Sequence, residues 1–71
     1  MNIFYEITFN LKKVRIKKSL SQKTLARMCR TSQSHISEME LGTESPSLKL
    51  FQRICNALHV HPCELLTITN K

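Results

Sequence analysis

The sequence has 71 residues, with 11 Lys and Arg against 5 Asp and Glu, a formal net charge of +6, and a single Gly. That is room for one small domain with a thin stability margin, and too little for a large water-excluding pocket. The 3 cysteines form no Cys-x-x-Cys pair, no stretch is apolar enough to span a bilayer, and no secretory signal is visible. A soluble, cytoplasmic protein with reduced thiols is expected.

Residues 1–9 admit two readings. Phe4, Ile7, Leu11 and Val14 keep helical spacing, so helix 1 could begin near Tyr5. The β-branched and aromatic content of residues 2–7 equally suits an extended arm or short strand, able to pair with its counterpart in a dimer. Helix 1 runs to about Lys18 and ends at Ser19-Leu20-Ser21. Ser21 caps helix 2, from Gln22 to about Cys29, with Leu25, Ala26 and Cys29 on its apolar face. Ser32 caps helix 3, Gln33 to Leu41, which buries Ile36 and Met39 and stops at Gly42. Residues 43–45 are loop. Pro46 suits a first helical turn, with Ser45 or Ser47 capping helix 4. The apolar stripe of helix 4 is Leu48, Phe51, Ile54, Cys55 and Leu58. His59 takes a helix-stop position, and helix 5 follows His61-Pro62 and buries Leu65. The layout is an arm or helix start at 1–9, a folded unit at 10–66 and a fraying polar tail at 67–71.

Helices 2 and 3 have about two turns each, too short to stand alone. Their apolar sides must be buried, and small Ala26 lets them cross closely. Helix 3 then turns Gln33, Ser34, Ser37 and Glu38 outward. Of the 11 Lys and Arg, 8 fall between Lys12 and Arg30 with no acid among them. A basic run commonly serves as a solvated face. Its place before and within a helix pair favours a polyanion partner instead.

The ordered set Leu20-Ser21-Gln22, Leu25-Ala26, Ser32, Ile36-Ser37, Glu40, Gly42, Pro46-Ser47-Leu48, Ala57 to Val60 and Glu64 to Leu66 resembles the XRE family of phage-repressor and Cro-type helix-turn-helix proteins. The likeness runs from about Leu11 to Leu66. It implies an all-α, five-helix, lambda-repressor-like domain. Two positions depart from the pattern: Arg30 stands where the turn glycine is usual, and Leu41 where asparagine is common.

The resemblance implies base contacts from Gln33, Ser34 and Glu38, with Ser37 able to touch a methyl or a backbone oxygen. The amide of Gln33 suits an adenine edge, while Glu38 can only accept and favours cytosine N4. Glu38 reads equally well as a solvated glutamate, and His35 as a half-exposed polar residue. Gln22, at the positive end of helix 2, suits a phosphate and in the family also braces Gln33. Lys23, Arg27, Arg30, Ser32, Thr43, Ser45 and Ser47 complete the expected backbone contacts. Arg15 and Glu40 are expected to form a partly buried ion pair between helices 1 and 3.

Cys55, His59, His61 and Cys63 are all possible zinc ligands, but their spacing matches no common structural site. Cys55 also sits on the core stripe, so no metal or cofactor is expected. No nucleophile has a base and an orienting third group, so no enzyme is expected either.

The expectation is therefore a small sequence-specific regulator, most simply a repressor, with no effector domain. It should bind a palindromic operator in double-stranded DNA as a homodimer, with Val60 and Leu66 at the dimer interface. A phage repressor, a restriction–modification controller and an antitoxin that binds a toxin protein would all suit this description. Non-specific nucleic-acid binding by the basic run is the remaining alternative.

Overall fold

The computed structural model describes residues 3–70; Met1, Asn2 and Lys71, parts of the expected arm and tail, lie outside the described residues. In order, the chain forms β1 (Tyr5–Phe9), α1 (Leu11–Lys17), α2 (Gln22–Cys29), α3 (Gln33–Leu41), α4 (Leu48–Leu58), a 3-10 turn (Pro62–Leu65) and β2 (Leu66–Asn70). The four α-helices pack around Leu11, Leu25, Ala26, Cys29, Ile36, Met39, Leu50, Ile54, Cys55, Leu58 and Leu65.

Local chemistry sets the helix ends. Ser21, Ser32 and Ser47 each accept a hydrogen bond from the backbone N–H three residues on, capping α2, α3 and α4. Such a cap contributes about 1 kcal/mol. At the other ends Arg30, Gly42 and His59 take left-handed backbone with φ of 57°, 83° and 55°. The next residue's N–H then bonds back five positions: Thr31 to Ala26, Thr43 to Glu38 and Val60 to Cys55. This is the Schellman closure, which satisfies carbonyls the helix leaves open. Arg30 carries the Cβ cost of that conformation, so Arg30→Gly should raise stability by about 1 kcal/mol in a urea melt. An unchanged midpoint would show that the strain is negligible.

The ends of the chain differ from expectation. In place of a fifth helix there is the single 3-10 turn, with Pro62 at its start. His61 Nδ1 accepts from the Cys63 N–H, and Glu64 returns a carboxylate oxygen to the His61 N–H at 2.9 Å. After it Leu-Thr-Ile-Thr alternates apolar and polar with β-branched residues, which favours extension over helix. The expected fraying tail is instead β2, up to Asn70. It pairs antiparallel with β1, from Phe9 opposite Leu66 to Tyr5 opposite Asn70. Of the two readings of the N-terminal stretch, the strand is the one observed over Tyr5–Phe9. Helix α1 starts only at Leu11, where the Asn10 N–H donates to the Leu65 carbonyl at 2.7 Å and its side chain to Thr67 Oγ1.

Two smaller corrections concern α4. Pro46 lies outside the helix, and Ser47 rather than Ser45 caps it. Leu48, assigned to the apolar stripe, is 87% exposed, and Leu50 is buried in its place. The inward face follows 50, 54, 55 and 58, a helical row that the Leu48–Phe51 spacing obscured.

Candidate nucleic-acid interface

Helix α3 is anchored by one face and open on the other. Ile36 and Met39 are buried in the core, whereas Gln33, Ser34 and Glu38 are exposed and Ser37 is half-buried. Together with Gln22 these four outward residues line one open concavity across the α2–α3 pair. The four side chains proposed to meet bases are thus brought onto a single surface, with the first residue of α2 at its edge.

The orientation of α3 is held from behind. Arg15 of α1 donates from Nε to Glu40 Oε2 at 2.6 Å and from an Nη to Oε1 at 3.1 Å, with a second Nη on the Leu20 carbonyl at 2.8 Å. The side chains of Arg15 and Glu40 are 10% and 3% exposed. Burial alone would push the Glu40 carboxyl up. Hydrogen bonds from Arg15 and Gln22, with the charges of Arg15 and Lys12, outweigh it and hold the group below its ordinary range. The same bond raises the Arg15 guanidinium. This is the expected ion pair, joined by one partner not foreseen.

That partner is Gln22. Its Nε2 donates to Glu40 Oε1 at 2.9 Å, so the amide braces the ion pair rather than Gln33. Nothing in the local sequence around Gln22 signals this, because the two residues are 18 positions apart. The start of α2 still presents toward solvent the remaining amide groups of the half-buried Gln22 and first-turn backbone N–H groups not taken by the Ser21 cap. Both are suited to a phosphate.

The other expected backbone contacts divide. Lys23 and Arg27 are exposed on α2. Ser32 and Ser47 use their oxygens as acceptors in the caps, which leaves each hydroxyl hydrogen to donate outward. Ser45 is exposed in the loop. Thr43 differs, since its hydroxyl donates to the Glu38 carbonyl at 3.1 Å and is committed within the chain. Arg30 is exposed in the turn between α2 and α3 and lines a separate concavity with Met28, Arg53, Asn56 and Ala57. Lys13, Lys17 and Lys18 are gathered elsewhere, beside His59, Val60 and Glu64. The basic run is therefore split around the molecule, and only part of it flanks α3. His35 is half-buried, with Nδ1 3.1 Å from Thr31 Oγ1.

The possible zinc ligands are not brought together. Cys55 faces the core and the His61 Nδ1 accepts from the Cys63 N–H, and among the described residues no three His, Cys, Asp or Glu side chains converge. Burial pushes the thiols of Cys29 and Cys55 up, more than offsetting the smaller opposing effects of Arg53 on Cys29 and a backbone hydrogen bond on Cys55. Both therefore behave as small apolar groups. Among the described residues no helix is long and apolar enough to cross a membrane.

The geometry of an anchored second helix with an open polar face has a counterpart in comparison with known proteins. The helix-turn-helix family profile matches residues 11–65. This chain belongs to the helix-turn-helix family. The match spans all four α-helices and the 3-10 turn and includes neither strand. The helix-turn-helix chain is 38% identical over 60 residues to the control protein C.BamHI of Bacillus amyloliquefaciens, covering 83% of this chain and 74% of that protein. Its fold superposes with a TM-score of 0.75 on the restriction-modification controller protein C.AhdI of Aeromonas hydrophila, at 34% identity, over 79% of this chain and 85% of that one. It also matches the clp gene regulator ClgR of Corynebacterium glutamicum with a TM-score of 0.75, at 28% identity, over 79% of this chain and 60% of that one. With these similarities, the chain is a sequence-specific DNA-binding regulator of transcription.

Proposed function

We propose that this protein represses transcription as a homodimer on a palindromic operator in double-stranded DNA, with α3 in the major groove and the start of α2 against the backbone. The observation that carries the reading is the single open surface formed by Gln33, Ser34, Ser37 and Glu38 on a helix fixed from behind by Arg15 and Glu40. A nine-residue α3 reads only a few base pairs, so two half-sites are needed for useful specificity. Likeness to a restriction-modification controller protein and to a control protein favours a controller of such an operon among the settings that suit a small regulator. Its place of action is then the cytoplasm.

Gln33 is the assigned reader of a base edge, Ser34, Ser37 and Glu38 its neighbours on the groove floor. Lys23, Arg27, Ser32, Ser45 and Ser47 would hold the phosphates. Fluorescence anisotropy with the gene's own upstream duplex and a scrambled duplex, over a salt series, tests this. The upstream duplex should bind far more tightly. Gln33→Ala should remove about 1–3 kcal/mol of that margin while leaving the salt slope unchanged. Equal binding of both duplexes by both proteins would overturn the reading for that DNA.

A further inference from the structure

The two-stranded ribbon has an apolar face with nothing beneath most of it. Alternation places Tyr5, Ile7 and Phe9 of β1 on the same side as Leu66 and Ile68 of β2. At the base, Phe9 and Leu66 are half-buried, and Phe9 packs on Phe51 with ring centroids 5.7 Å apart. Beyond the base the stripe runs off the core: Tyr5, Ile7 and Ile68 are 55%, 62% and 59% exposed. Across a concavity of about 370 Å³ from Ile7 stands Leu41, at the end of α3 and 76% exposed. An isolated two-stranded ribbon is marginal in water, and an exposed apolar patch on the order of a few hundred Å² marks a contact surface.

From this we infer that the ribbon face seats a second copy of this chain, with the two Ile7–Ile68 pairs meeting about a two-fold axis. Charge selects this occupant. From Ile3 to Asn10 and from Val60 to Asn70 the sequence has no Lys or Arg, so the ribbon offers nothing to phosphate. Each copy carries a net charge of +6 with its cations concentrated from Lys12 to Arg30, so contact through that region would be repulsive. The ribbon is where two such chains can approach. Its face also adjoins the end of α3, so an axis there keeps the two recognition helices at short range. Half-sites about 34 Å apart need that arrangement. Val60 and Leu66, the expected dimer residues, are each half-buried within the chain, and of the two only Leu66 lies on this face. Few side chains make up the face, so the dimer is expected to be concentration-dependent.

The inference rests on the homodimer reading above but is tested without DNA. Sedimentation velocity over a concentration series should show a reversible monomer–dimer equilibrium for the wild type. Ile7→Lys and Ile7→Glu should each sediment as monomers with unchanged far-UV circular dichroism, and their equimolar mixture should recover the dimer. Ile7→Thr, which keeps a β-branched residue in the strand, should weaken the dimer at least tenfold. A monomeric wild type overturns the proposal. So does a mixture that stays monomeric, or a dimer that survives Ile7→Lys and Ile7→Thr but is lost in Val60→Thr. Because the upstream-duplex titration is separate, loss of specific DNA binding and loss of this interface are distinguishable.

Discussion

Replacing Arg15 by alanine is expected to destabilise the protein by about 3–5 kcal/mol, the usual cost of stranding one member of a buried ion pair. Glu40 would keep the Gln22 amide but lose both guanidinium bonds, and the Leu20 carbonyl would lose its donor. A chain of this size has a total stability of roughly 4–10 kcal/mol, so the change removes about half of it. Each kcal/mol shifts the midpoint of a domain this small by about 4–8 °C, and a thermal melt followed by circular dichroism reads the loss directly. The double variant Arg15→Ala/Glu40→Ala should lose clearly less than the sum of the single changes, since neither partner is then left charged and alone. A melt indifferent to Arg15→Ala would mean that the pair is solvated and does not hold α1 to α3.

The pair also sets an acid limit. Because the folded Glu40 carboxyl lies below its ordinary value of 4.5, its contribution is fully present above that value. It is lost as pH falls through the depressed folded value, where the native state must take up the proton. The wild-type melting temperature should accordingly fall as pH drops below about 4.5, and Glu40→Gln should show a shallower fall in the same window. Parallel curves for the two proteins would assign the acid loss to other groups.

The second large effect is expected at Ile36. This side chain is 0% exposed, and with Met39 it makes up the buried face of α3. Ile36→Ala removes three carbons and leaves a cavity between α3 and the rest of the core, at a cost of about 3 kcal/mol within a range of 2–5. Gln33→Ala on the opposite face should change stability by no more than about 0.5 kcal/mol. Denaturant melts of the two variants thus separate the halves of one short helix. The inward change costs stability, and the outward one costs only sequence discrimination. If Ile36→Ala proved as mild as Gln33→Ala, α3 would be held by its flanking caps and the ion pair rather than by packing.

The residues from Ser21 to Gly42 specify their own structure. Caps at Ser21 and Ser32, the apolar rows Leu25-Ala26-Cys29 and Ile36-Met39, and the stop at Gly42 are local signals. The observed α2 and α3 have the same bounds that those signals predict. Arg30 differs, because its left-handed backbone is imposed by helix closure against the preference of its own side chain. The outward set Gln33, Ser34, Ser37 and Glu38 follows from helical period alone. The ion pair of Arg15 and Glu40 was legible only through family likeness, since 25 positions separate its members.

What tertiary structure decided is the pairing of the two ends and the distribution of charge. Both Tyr5–Phe9 and Leu66–Asn70 alternate apolar and polar residues, so each is strand-like locally. Neither reveals that the other is its partner, because closing that contact depends on how four helices bring the termini together. The fifth helix failed for the same reason: once β2 can pair with β1, extended backbone at Leu66 satisfies hydrogen bonds that a helix would otherwise have to make. The gathering of Lys13, Lys17 and Lys18 beside His59 and Glu64, and the turn of Gln22 onto Glu40, are likewise properties of packing. Sequence period assigns a face to a side chain within its own helix. Only the assembled bundle determines what that face meets.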